Sequence, residues 1–131
     1  MKRVLLVEDN AANRKLLGDH LRRVGYDVCD APTADDGIAL ALQEAFDLVV
    51  MDVQLPGTDG LTATQLLRHN PKTRHVPILA VTAHAMRGDE ARILAAGCNG
   101  YAAKPIDYKE FLELVSQLLA NTVGTEQRGN S

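Results

Sequence analysis

Four short apolar runs divide the chain, and each is cut off by a residue with chemistry to offer. Val4-Leu5-Leu6-Val7 ends in Glu8-Asp9, and Leu48-Val49-Val50-Met51 ends in Asp52. Ile78-Leu79-Ala80-Val81 ends in Thr82, and the shorter Tyr101-Ala102-Ala103 ends in Lys104-Pro105. Runs without a polar break are what strands buried on both faces require. Between them the apolar spacing changes to the helical period: Leu17, Leu21 and Val24, then Ile38, Ala41, Leu42 and Ala45, and finally Phe111, Leu112, Val115, Leu118 and Leu119.

The pattern predicts five strands alternating with five helices. A strand over 3–7 precedes a helix capped by Asp9 or Asn10, whose side chains accept from free amides, with Gly25 just past its end. A weaker strand over 26–31 is followed by a helix opening at Pro32-Thr33. The central strand spans about 47–52, and Pro56 and Gly57 turn the chain. A third helix starts at Thr58 or Asp59 and runs to about His69, where Asn70-Pro71 stops it. A strand over 76–81, a helix from about Met86 to Ala96, a strand over 100–103 and a helix over about 107–120 complete the domain, 1–120. Residues 121–131 turn polar and contain glycine, and are expected to form a disordered tail. Strict alternation argues for a parallel sheet covered on both faces with right-handed crossovers. All four strand endings then lie on one edge, where open α/β sheets bind ligands.

The 131 residues fit one domain with a real core. A formal charge of -3 gives no basic face for nucleic acid. No apolar stretch approaches the roughly 20 residues of a membrane span, and the apolar run after Met1 is too short for a signal-peptide core. A cytoplasmic protein without membrane insertion is expected. Cys29 and Cys98 fit neither a CxxC pair nor a zinc spacing and read as free packed thiols. His20, His69 and His75 read as surface or helix residues, and His84 draws notice because it lies two positions after Thr82.

Glu8, Asp9 and Asp52 in one crevice repel each other, by roughly 4 kcal/mol for a pair ~4 Å apart at an effective dielectric near 20. Either one carboxyl keeps its proton or a cation sits among them. Hard oxygens too few for a closed cage suit magnesium, which keeps several waters and shares its shell with phosphate. A metal beside a carboxylate and an ammonium is a layout for phosphoryl transfer. Asp52 would attack phosphorus, with Lys104 and the metal neutralising the equatorial oxygens and Thr82 donating a hydrogen bond. Singly, Lys104 also reads as a solvated lysine, Thr82 as an ordinary strand-end threonine and Tyr101 as a core aromatic. Their coincidence at four strand ends favours the site.

Glu8-Asp9-Asn10, Asp52 after its apolar run, Thr82-Ala83, Tyr101 and Lys104-Pro105 together resemble the receiver domain of two-component response regulators, in order and spacing, from residue 3 to about 120. Val-Glu-Asp-Asn, Met-Asp-Val-Gln-Leu-Pro and Lys-Pro-Ile look most like single-domain DivK-type regulators; receivers of hybrid histidine kinases are also similar. The resemblance implies a flavodoxin-like (βα)5 fold of strand order 2-1-3-4-5. It implies that Asp52 is the phosphoacceptor for a sensor histidine kinase or histidine phosphotransfer protein. Mg2+, for which Mn2+ could substitute, would be held by Asp9, Asp52 and the backbone carbonyl of Gln54, with Glu8 acting through a water. Lys104 would pair with Asp52 and then with the phosphoryl group, and the bond before Pro105 is expected to be cis. Thr82 and Tyr101 would form the switch, altering the face of helix four, strand five and helix five toward a downstream kinase or other protein client. Gln54 and His84 would tune phosphate lifetime. Such a protein is no conventional enzyme: it catalyses its own phosphorylation and dephosphorylation, and is expected to be a monomer.

Three rivals remain. A haloacid-dehalogenase-like phosphatase needs a second Asp two residues after the nucleophile, where Gln54 stands. A flavin or nucleotide carrier fits poorly, since residues 8–13 lack glycine and start acidic. An unphosphorylated docking receiver would not need an intact acceptor site. A stand-alone regulator is favoured by the Met1 start over a receiver excised from a hybrid kinase.

Overall fold

The computed structural model describes residues 1–55, 57–83 and 89–130, with residues 121–130 as backbone only. The elements alternate as β1 (Arg3–Val7), α1 (Ala11–Arg23), β2 (Asp27–Ala31), α2 (Ala34–Gln43), β3 (Leu48–Asp52), α3 (Gly60–His69), β4 (Ile78–Thr82), α4 (Asp89–Ala96), β5 (Gly100–Ala103) and α5 (Tyr108–Asn130). The strands form one parallel sheet in the order β2-β1-β3-β4-β5. This is the flavodoxin-like order that the resemblance implies.

The unbroken apolar runs resolve into two alternating sets. Leu5, Val7, Val49, Met51, Ile78 and Ala80 pack with Ala41 of α2, Leu67 of α3 and Ile93 of α4. Val4, Leu6, Leu48, Val50, Leu79 and Val81 pack on the other side with Leu17 and Leu21 of α1 and Phe111, Val115 and Leu119 of α5. Every residue of β3 and β4 is buried. Each fully buried Leu, Val or Ile stabilises the fold by about 1.5–3 kcal/mol, so a polar side chain is tolerated only where the strand ends.

Side chains fix the helix starts. The Asn10, Thr33 and Asp59 oxygens accept from the amides three residues on, at 3.0, 3.1 and 2.8 Å. Gly25, at φ 101°, follows the cap of α1 in a left-handed conformation that suits glycine.

Most boundaries fall within a residue of expectation, and three differences have a visible cause or consequence. β4 begins at Ile78, not Val76: Pro77 has no N–H for a ladder, and the Val76 amide donates to the Thr73 carbonyl at 3.1 Å. α2 ends at Gln43, so Ala45 lies beyond it, and Gly37 supplies the close approach, since a Cβ there would stand 2.6 Å from Val7 Cγ2. α5 continues to Asn130 instead of stopping near Ala120; no proline interrupts it, and each isolated glycine costs only about 1 kcal/mol relative to alanine. Pro56, His84 and the expected helix start at Met86 lie outside the described residues. Among the described residues no helix is long and apolar enough to cross a membrane.

Candidate functional site

Strand register assembles the crevice. Val7 pairs with Met51, which sets Glu8 beside Asp52; Asp52 pairs with Val81, which sets Thr82 just beyond; Thr82 pairs with Ala103, which delivers Lys104. The Lys104 amide donates to the Thr82 carbonyl at 2.8 Å, and the Lys104–Pro105 peptide bond is cis.

The Lys104 ammonium donates to Asp52 Oδ2 at 3.1 Å and stands 3.7 Å from Glu8 Oε1. Asp52 Oδ1 accepts from the Gln54 amide at 3.0 Å. Glu8, Asp52 and Thr82 are 1, 2 and 1 % exposed, so these polar groups sit at core depth, while Asp9 is exposed. Carboxylate oxygens of Glu8, Asp9 and Asp52 all lie within 4.8 Å of one another.

One ammonium cannot neutralise this group. Burial, and then the neighbouring Asp52, push the Glu8 carboxyl up to about 7, while the Asn13 amide and Lys104 pull the other way. Glu8 Oε1 accepts from Asn13 Nδ2 at 3.2 Å, but Oε2 is buried without a hydrogen-bond partner among the described residues. A buried, unpartnered carboxylate oxygen in a set of hard oxygens fits a hydrated divalent cation. The site is reached from outside: an open cleft of about 740 Å³ runs past Asp9, Gln54, Asp59 and Arg92.

Two residues named for switching occupy the β4–β5 side. Thr82 ends β4, and its hydroxyl accepts from Gln54 Nε2 at 3.5 Å. Tyr101 is half-buried against the core, where the Glu90 carboxylate holds its phenol above the ordinary range. Cys29 and Cys98 are free thiols, and burial pushes Cys98 up. His20 of α1 stacks on Tyr108 of α5 at 4.0 Å.

Three contributors escaped sequence reasoning. Asn13 turns back from the first turn of α1 to Glu8, and Arg14 Nη1 donates to the Glu8 carbonyl at 2.9 Å. Gly60 opens α3 against the backbone of Asp52, where an added Cβ would strike the Asp52 carbonyl oxygen. The signal for Asn13 was its spacing from the cap: three residues past Asn10, it faces back along the helix toward the strand end. Nothing local marks Gly60.

Residues 4–116 match the response regulator receiver domain. The chain belongs to this family. It is 40% identical over 120 residues to the polar-differentiation response regulator DivK of Brucella ovis, covering 92% of this chain and 98% of that protein, and equally to that of Brucella abortus. A solved structure of a putative response regulator from Chloroflexus aurantiacus is similar at a TM-score of 0.87 and 32% identity, covering 91% of this chain and 98% of that one. The receiver domain of a sensor histidine kinase from Pseudomonas aeruginosa, with magnesium coordinated in its active-site cleft, is similar at a TM-score of 0.85 and 35% identity, with the same coverage. The chain is therefore a two-component signalling receiver resembling DivK, in a family of phosphoacceptors that bind magnesium at an acidic pocket.

Proposed function

We propose that Asp52 accepts a phosphoryl group from a phosphohistidine on a sensor histidine kinase or histidine phosphotransfer protein. The observation that carries this reading is the buried Asp52 carboxylate held by Lys104 at 3.1 Å beside Glu8, whose Oε2 has no hydrogen-bond partner among the described residues. A carboxylate oxygen of Asp52 attacks phosphorus, the P–N bond breaks, and its electron pair leaves on the imidazole nitrogen. Asp9, Asp52 and the Gln54 backbone carbonyl would hold magnesium, or manganese in its place, with Glu8 acting through a water, and the ion would supply the positive charge that the carboxylates and incoming phosphoryl oxygens lack.

Lys104 then exchanges Asp52 for a phosphoryl oxygen, and Thr82 turns its hydroxyl toward the same group. Tyr101 fills the space behind Thr82, and the face of α4, β5 and α5 changes shape for a downstream kinase or another protein client. Phosphorylation drives this only through better contacts with the active arrangement than with the resting one. The domain catalyses both its own phosphorylation and the hydrolysis that ends the signal, with Gln54 and His84 tuning how long the phosphate lasts. Like DivK it acts as a response regulator, here as a single-domain, monomeric cytoplasmic protein working through protein contacts.

Intact mass after incubation with magnesium and acetyl phosphate tests the acceptor. Wild type is expected to gain one acid-labile phosphoryl adduct, lost when magnesium is chelated, and Asp52→Asn none. Uptake of acid-labile phosphate by Asp52→Asn would place the nucleophile elsewhere.

A further inference from the structure

Backbone alternation along β4 decides which donors face the crevice. The Val81 carbonyl points to β3, accepting from the Val53 amide at 2.9 Å, and the Thr82 carbonyl points to β5, accepting from Lys104 at 2.8 Å. Alternation returns Ala83 to the β3 side, so its N–H is aimed at the Asp52 end of β3. There it meets a side chain: the Ala83 amide donates to Gln54 Oε1 at 3.2 Å, while Gln54 Nε2 donates to the Thr82 hydroxyl at 3.5 Å. The orientation of the Gln54 amide follows from chemistry, because a backbone N–H can only donate and must face the oxygen. The Gln54 backbone is itself pinned, its N–H donating to Asp52 Oδ1.

We propose that the Gln54 side chain is a latch on the β4 edge. In the resting protein it holds the Thr82 hydroxyl, which would turn to a phosphoryl group on Asp52, and the Ala83 N–H, which faces the same strand end and would be open to a phosphoryl oxygen there. The Gln54 amide oxygen thus stands in for a phosphoryl oxygen and biases the domain toward the unphosphorylated state. Phosphorylation must displace it, and the freed amide swings into the open cleft that Gln54 lines. This goes beyond phosphate lifetime: the residue sets how readily the switch is thrown. The inference rests on Asp52 being the acceptor.

Gln54→Ala removes the amide, and Gln54→Met removes it while keeping the length of the side chain. Two readouts apply to both. In the resting protein, hydrogen exchange at the Ala83 amide is expected to quicken about fivefold, the equilibrium value of one ordinary solvent-accessible hydrogen bond. With saturating magnesium, the beryllofluoride concentration giving half-occupancy is expected to fall about fivefold, since the mimic no longer competes with the side chain. Unchanged exchange at Ala83, or faster exchange with no gain in beryllofluoride binding, overturns the latch. If wild type takes up beryllofluoride and acetyl phosphate but the variants gain nothing, the latch alone fails. If wild type takes up neither, the acceptor reading fails and the latch with it.

Discussion

At the N-terminal edge of the sheet one arginine meets three carboxylates within reach of water; at the C-terminal edge one lysine meets two buried ones, with Asp9 close by, and cannot neutralise all three. Arg3 donates from Nε to Asp27 at 3.1 Å, from Nη2 to Glu44 at 2.7 Å and from its backbone N–H to Asp47 at 2.7 Å. Its remaining fork nitrogen reaches the Ala45 carbonyl at 3.1 Å, and the guanidinium carbon lies 4.7 Å over the Phe46 ring. Asp27 and Glu44 stand in solvent, their side chains 50 and 41 % exposed. Glu8 and Asp52 do not, at 1 % each. The number of charges is similar at the two edges. Burial makes the difference: water screens the first cluster, and the second needs a cation from outside.

Removing Lys104 should have the largest effect. Lys104→Met leaves two buried carboxylates without a cation, a loss of about 4 kcal/mol when such a pair is broken. The loss is expected in urea melts at pH 8 with chelator, and it should shrink at pH 5, where Glu8 carries a proton. Equal losses at both pH values would mean that lost packing, rather than charge, was measured. Next comes Glu8 itself. Its folded carboxyl keeps a proton to about 7, against 4.5 ordinarily, so the folded state binds more protons than the unfolded chain between these values. Stability of the metal-free protein therefore falls as pH rises through that window, by roughly 3 kcal/mol. Glu8→Gln should abolish this slope and be the more stable protein at pH 8. A wild-type profile that superimposes on Glu8→Gln would remove the imbalance from the account.

How much of this contrast could be read from the chain alone follows from pattern and not from distance along it. Glu8, Asp52, Thr82 and Lys104 were legible together because each follows an apolar run, and parallel strands put all such ends on one edge. The Arg3 cluster was not: its partners lie 24 to 44 residues away, no farther than Asp52 from Lys104, but no pattern of apolar runs links them. Gly60 was opaque for a related reason: a glycine after a capping Asp looks like any helix start until the Asp52 backbone is seen against it. Asn13 stood between, visible as a first-turn residue but not as the donor to Glu8. The start of β4 was misplaced because Val76 and Pro77 continue the apolar run while the backbone is still turning.

Gly60→Ala carries the comparison into the backbone. The new methyl strikes the Asp52 carbonyl, and helix or strand must shift, at a cost of about 2 kcal/mol. The same shift moves Asp52 relative to Lys104, so magnesium affinity should weaken alongside stability. A variant that loses stability but binds magnesium as wild type does would show that α3 moves and the site does not.

Arg3→Ala should have the smallest effect, although it deletes the most hydrogen bonds. Its carboxylate partners are solvated and remain so when it is gone, so no buried charge is stranded. Arg3 is held above its ordinary pKa by Glu44 and Asp27, so it stays charged in both folded and unfolded chains across the neutral range. The loss should therefore be flat between pH 5 and 8, smaller than for Lys104→Met at pH 8, and further reduced by 0.5 M salt, which shortens screening to a few ångströms. Urea midpoints for both variants at two pH values and two salt concentrations test this. If Arg3→Ala equals Lys104→Met and follows the same pH course, then the two edges handle charge alike, and burial is not what distinguishes the Asp52 crevice from the opposite edge.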